Sequence, residues 1–183
     1  MFARTPRLLL RPGFPEDAPA LALAIADEAI VRNLATAPWP YRMRDAEAFL
    51  ASPRDPLLPA MLVFERTSAA PQLVGACGLG RRPSGAVEMG YWIASGQWGR
   101  GFATEACTAL IEIARALGLE QLHASHFIDN PASARVLDKL GFDSTGLIAL
   151  RMSCARGTES PARQMRLRLK ATARSDEAEA LAA

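Results

Sequence analysis

Lysine is nearly absent from this chain. Of its 21 basic residues only Lys139 and Lys170 are lysines, the rest being arginine. No basic run is interleaved with aromatics, so no nucleic acid is expected as a partner. The three cysteines, Cys77, Cys107 and Cys154, are an odd number without metal-ligand spacing. They read as reduced thiols in a cytoplasmic protein, and no metal is expected. Cys107, in a helical apolar pattern, reads as a small core filler. No apolar run approaches the roughly 20 residues that cross a bilayer, and the N-terminus lacks the apolar block and small-residue cleavage site of a signal peptide. No membrane partner is therefore expected. Charge of one sign is scarce as well. The net charge is +2, and residues 171–183 hold Arg174 against Asp176, Glu177 and Glu179, which leaves −2 there and +4 elsewhere. That mild excess suits a polyanionic ligand, but surface arginine explains it equally.

What is present fits one globular domain. Half of the 183 residues are apolar and 22% are charged. The domain is expected over residues 1–170, with a disordered alanine- and acid-rich tail over 171–183. Strands are predicted at 8–11, 61–64, 73–78, 87–93, 122–127, 142–150 and 164–169. Helices are predicted within 15–34, at 45–50, from 103 to a stop at Gly118, and from Asn130 to Gly141. Pro38, Pro40, Pro53, Pro56 and Pro59 mark loops. Antiparallel strands followed by two strand–helix crossovers give an α/β fold, a single-domain mixed sheet with helices on both faces.

The stretch Trp98-Gly99-Arg100-Gly101-Phe102-Ala103-Thr104-Glu105 follows a predicted strand and opens a predicted helix. The first N–H groups of a helix lack internal partners and favour an anion. Glycine lets the backbone approach a bulky phosphate. The longer phosphate loop ending in Gly-Lys-Ser/Thr is absent. The dinucleotide fingerprint is also absent, since Thr104 stands where its third glycine belongs. A tight turn without any ligand would read the same way.

A second motif, Asn130-Pro131-Ala132-Ser133-Ala134-Arg135-Val136-Leu137-Asp138-Lys139-Leu140-Gly141-Phe142, changes that balance. With the first, it resembles the GNAT superfamily of acetyl-coenzyme A-dependent N-acetyltransferases. Within it, the chain resembles the branch containing the Rim-type ribosomal-protein N-terminal acetyltransferases. The superfamily's phosphate loop, Gln/Arg-x-x-Gly-x-Gly/Ala, falls on Trp98 to Ala103. Trp98 departs from its first position but resembles the Rim branch, as does the opening Thr5-Pro6-Arg7-Leu8-Leu9-Leu10-Arg11-Pro12. The likeness spans roughly residues 5–170 and is loose before Pro59. It implies a largely antiparallel sheet whose one parallel pair, around 87–94 and 122–127, splays apart. It further implies acetyl-CoA as cosubstrate. The pantetheine arm would bond as a pseudo-strand to Tyr91, Trp92 and Ile93, and the pyrophosphate would lie at Trp98, Gly99, Arg100, Gly101, Phe102, Ala103 and Thr104. Asn130 and Ser133 would complete the cofactor contacts.

Acetyl transfer from a thioester to an amine needs a neutral amine, a stabilised oxyanion and a proton for the departing thiolate; holding the reactants together supplies much of the rate. The resemblance implies that Glu88 deprotonates the amine through a water and that Ser133 protonates the thiolate. Glu88 paired to an arginine on the surface is the plainer reading. Asn130 before Pro131 also reads as a helix N-cap, and Ser133 as a first-turn polar residue. Alternation places Glu88 with Gly90 and Trp92 on one face, and Met89, Tyr91 and Ile93 on the other. His126, sharing a face with Leu122 and Ala124, is either a rival acid or base or a hydrogen-bonded core histidine. His123 points oppositely. Trp39, Tyr41 and Trp92 are candidates for an acceptor pocket shaped by residues 35–59, where no charge cluster selects a charged acceptor. The implied acceptor is a protein N-terminal amine or a small amine. A non-catalytic acyl-CoA-binding or regulatory module is the alternative, and a homodimer is compatible with either.

Overall fold

The computed structural model of the chain describes residues 1–169. The tail expected over 171–183 lies outside them. An eight-stranded sheet is assembled from β1 (Ala3–Arg4), β2 (Leu8–Arg11), β3 (Ala60–Glu65), β4 (Gln72–Arg81), β5 (Val87–Ile93), β6 (Gln121–Phe127), β7 (Asp143–Ser153) and β8 (Thr158–Arg168). Their order is β1-β2-β3-β4-β5-β6-β8-β7. Every neighbouring pair is antiparallel except β5–β6. The helices are α1 (Ala18–Ile25), α2 (Glu28–Val31), α3 (Met43–Ala51), α4 (Phe102–Ala116) and α5 (Pro131–Lys139).

Period-two alternation divides the strand side chains between two layers. On β3, Met61 and Val63 join Phe102, Leu110 and Ala114 of α4 and Leu137 of α5 in the main core. Leu62 and Phe64, between them in sequence, pack with Ala18 and Leu21 of α1 and Ala46 of α3. A third cluster, Ile25, Ile30, Val31 and Ala37, closes the end of the α1–α2 side. Helices therefore cover both faces, as the sequence indicates.

One glycine is needed for strand approach. A Cβ on Gly75 would lie 2.3 Å from the Trp92 carbonyl oxygen, so only glycine lets β4 close on β5 there. The parallel pair is short-lived. β5 and β6 each run seven residues, yet their ladder holds a single register pair, Glu88 with His123. Beyond that pair the strands part. This is the splay that the family resemblance implies.

Of the strands that exceed their predicted bounds, β8 and β4 do so by the most residues. β8 begins at Thr158, well before residue 164, and carries Pro161 inside it. Proline lacks an N–H and reads as a strand break. Here it falls just beyond the last β6–β8 pair, Phe127 with Ala162, where β7 still pairs with it through Leu150 and its carbonyl accepts from the Ile128 N–H at 3.1 Å. β4 runs to Arg81, through Gly78 and Gly80, because each pairs with β5.

Candidate active site

The opening between β5 and β6 belongs to a cleft of about 1450 Å³ that reaches both faces of the sheet. Its floor is β5, and α4 and α5 start at its rim.

At that rim, Gly99 and Gly101 adopt φ of +75° and +80°. L-residues rarely enter this region, so the turn depends on glycine. A Cβ at Gly99 would meet nothing within 4 Å, and at Gly101 only an Arg7 nitrogen at 3.6 Å. The space over the turn is therefore open. Gly101 is the N-cap of α4 and offers no side-chain cap, which leaves the first-turn N–H groups directed outward. Trp98 fixes the turn by donating its indole N–H to the Ile93 carbonyl at 2.7 Å.

The opening segment of the chain supports the same turn. Arg7 donates to the Arg100 carbonyl at 2.9 Å and pairs with Glu105, which also accepts from the Thr5 hydroxyl at 2.6 Å. Arg7 thereby neutralises the carboxylate in the first turn of α4, beside the open glycine turn. Sequence reasoning singled out Thr5 to Pro12 as a motif without assigning Arg7 this function. Arg100 departs from expectation. Its guanidinium pairs with Glu65, bonds Gln97 and lies over the Phe102 ring, and its side chain does not line the cleft. Trp98, Gly99, Gly101, Phe102, Ala103 and Thr104 do.

Glu88 sits on the α1–α3 face of β5, as alternation requires. Arg82 grips its two oxygens at 2.9 and 2.6 Å, Arg151 at 2.6 and 3.2 Å, and the Ser125 hydroxyl donates at 3.0 Å. Burial pushes the Glu88 carboxyl up, but the hydrogen bonds and charges of the two arginines outweigh it and bring the group down to about 2. A carboxylate so stabilised is ionised throughout the working range yet is a feeble base. This is the arginine-paired reading in a stronger form, with two partners. Arg82 and Arg151 were missed because a clamp between separate hairpins leaves no local signal.

On the α4–α5 face, the Tyr91 hydroxyl lies 2.9 Å from Ser133 Oγ. Burial pushes the Tyr91 phenol well up, so it stays protonated. The Asn130 side chain accepts from the Ser133 N–H at 3.1 Å, the N-cap geometry. His126 lines the cleft; its buried ring donates from Nδ1 to the Phe127 carbonyl at 3.0 Å. His123 bonds Gln121 and lies away from the cleft. Of the aromatics, Tyr41 and Trp92 line the α1–α3 end, whereas Trp39 does not.

A glycine turn at an uncapped helix start, beside a splayed parallel pair, is the arrangement the family resemblance implies. Residues 7–143, well over half of the chain, match the acetyltransferase (GNAT) domain family. The chain belongs to the GNAT acetyltransferase family. An uncharacterized N-acetyltransferase designated p20, from Bacillus licheniformis, is 32% identical over 80 residues, covering 42% of this chain and 45% of that protein. YoaA of Bacillus subtilis, also an uncharacterized N-acetyltransferase, is 40% identical over 63 residues, covering 34% and 36%. The matched segments thus span less than half of these relatives. The fold is shared more widely. A GNAT-family acetyltransferase from Bacillus anthracis superposes with a TM-score of 0.77 at 18% identity, over 92% of this chain and 98% of that one. RimL, an alpha-N-acetyltransferase of ribosomal protein L7/L12 solved with coenzyme A, gives 0.76 at 18% identity over 93% and 99%.

Proposed function

We propose that this GNAT protein moves an acetyl group from acetyl-CoA to a primary amine by direct attack, as a Rim-like enzyme of the cytoplasm. The observation that carries this reading is the cleft through the β5–β6 splay, with the open glycine turn at one rim and Ser133 at the other. The residues suit the cosubstrate. The pyrophosphate would rest on the first turn of α4, where a Cβ at Gly99 would meet nothing within 4 Å. The pantetheine arm would run along Tyr91, Trp92 and Ile93, where β5 has no ladder partner on the β6 side. Bound acetyl-CoA supplies the thioester carbonyl that the amine attacks. In this reading Ser133 gives the thiolate a proton, a role supported by its place on the cleft and by the Tyr91 hydroxyl 2.9 Å from its Oγ. The acceptor, a protein N-terminal amine or a small amine, enters past Tyr41 and Trp92. Glu88 serves by fixing Arg82 and Arg151 on that side and by tying β5 to Ser125 of β6. The proposal admits a homodimer, for which edge strand β7 presents Leu147, Ile148, Leu150 and Met152, each at least half exposed.

Mass spectrometry of peptides and small amines incubated with the protein and acetyl-CoA tests the reading. Acetylation of one acceptor class with release of coenzyme A is expected. Calorimetric binding of coenzyme A with no transfer across the panel would establish the non-catalytic acyl-CoA-binding module instead.

A further inference from the structure

We infer that His126 is the base that takes the proton from the attacking amine, an inference that rests on the acetyl-transfer reading above. Three observations converge on it.

The first is register. Glu88 and His123 are partners in a parallel pair, and Tyr91 and His126 lie three residues further along their respective strands, on the two sides of the splay. An odd step from each partner also puts both on the other face from Glu88. Tyr91 is bonded to Ser133 at 2.9 Å, and His126, Tyr91 and Ser133 all line the cleft. The second is the tautomer. The Phe127 carbonyl can only accept, so the 3.0 Å contact places the ring proton on Nδ1. In the neutral ring this leaves the lone pair on Nε2, the nitrogen available for proton transfer. The third is access. Among the described residues Nε2 has no hydrogen-bond partner, yet no fully buried side-chain nitrogen or oxygen lacks one. Nε2 is therefore reached from the cleft that His126 lines. A core histidine satisfied on both nitrogens would show neither feature. His126 also ends the row Leu122–Ala124–His126, in which the first two belong to the main core, so the polar ring stands where that core gives way to the cleft.

Glu88 cannot serve as well from the opposite face, because both of its oxygens are taken by two guanidinium groups. The step balances without a further reactant. The amine nitrogen bonds to the thioester carbonyl carbon, and its proton passes to Nε2 of His126. The tetrahedral oxyanion collapses, the C–S bond breaks, and the thiolate takes a proton from Ser133. Water then removes the proton from His126 and restores the one on Ser133.

The chain has two histidines, which makes the test clean. His126→Gln should lower turnover at saturating substrates by roughly a hundredfold or more, with KM for both substrates and coenzyme A affinity unchanged. Imidazole added to His126→Ala should restore part of the turnover. Wild-type turnover in folded His126→Gln would overturn the inference, and so would a loss confined to KM. Should both variants fail to fold, diethyl pyrocarbonate treatment of His123→Gln, in which His126 is the only imidazole, reads the same group. Loss of turnover that acetyl-CoA prevents is expected; full activity with His126 carbethoxylated would overturn the assignment. If wild-type protein transfers no acetyl group to any acceptor, the acetyltransferase reading fails by itself, before His126 is tested.

Discussion

At Gly101 the demand is on the backbone, not on space. A Cβ there would touch only an Arg7 nitrogen, but φ of +80° in a β-branched residue is strained by about 1–2 kcal/mol or more. Gly101→Val should therefore rearrange the turn and weaken coenzyme A binding strongly, while the distant cores stay intact. Calorimetry on the folded variant checks this, and unchanged affinity would place the pyrophosphate elsewhere. Ser133 separates two functions in one residue. Its backbone N–H satisfies the Asn130 cap, and its hydroxyl meets Tyr91. Ser133→Ala keeps the first and deletes the second. Turnover should drop by about tenfold to a hundredfold, a modest effect because a thiol of pKa near about 8.5 leaves readily. The melting temperature should hardly move; a variant that loses stability but keeps its turnover would make Ser133 a helix residue only.

Elements were legible where one local pattern decides them. β5 alternates cleanly, and its predicted bounds are the observed ones. Helix α5 announces itself by an asparagine, a proline after it and a glycine beyond its end. Asn130→Ala should cost about 1 kcal/mol in urea denaturation, while Asn130→Asp, which also caps, should cost much less. Equal stability of all three proteins would show that the side-chain bond to Ser133 N–H contributes nothing. The first half of β8 was hidden because Pro161 signals a break, and only the assembled sheet shows that the strand runs on past the end of the β6 ladder, paired to β7. The splay was legible solely through family resemblance. Periodicity fixes which face a side chain takes but says nothing about where two strands stop pairing. For the same reason the clamp on Glu88 could not be foreseen. Arg82 lies in the β4–β5 turn and Arg151 on β7, and they meet only once the sheet is assembled.

Across the whole molecule, the abundant arginine becomes a set of ties between distant elements. Arg11 holds Asp17, Arg7 holds Glu105, Arg156 holds Asp129, and Arg82 with Arg151 holds Glu88. These pairs join β2 to the start of α1, the N-terminal segment to α4, and β7 to β5 beside the cleft. All four carboxyls titrate below their ordinary values. Hydrogen bonding from arginine leads for Asp17 and Asp129; for Glu105 and Glu88 burial opposes the shift and is outweighed. A carboxyl whose folded pKa is depressed adds stability that is complete above its unfolded pKa and is lost as pH falls toward the folded one. For Glu88, with an ordinary value of 4.5 and about 2 in the fold, that window runs from about pH 5 to 2 and holds on the order of 3 kcal/mol. Asp129, nearly half exposed, adds little after solvent screening. The urea midpoint should hence decline steeply between pH 5 and pH 3. Glu88→Gln should start lower at pH 7, because two guanidinium groups lose their shared partner, and should decline less on acidification. Parallel curves for variant and wild type would mean that the clamp forms without contributing to the fold, and that Glu88 is free to act in the chemistry after all.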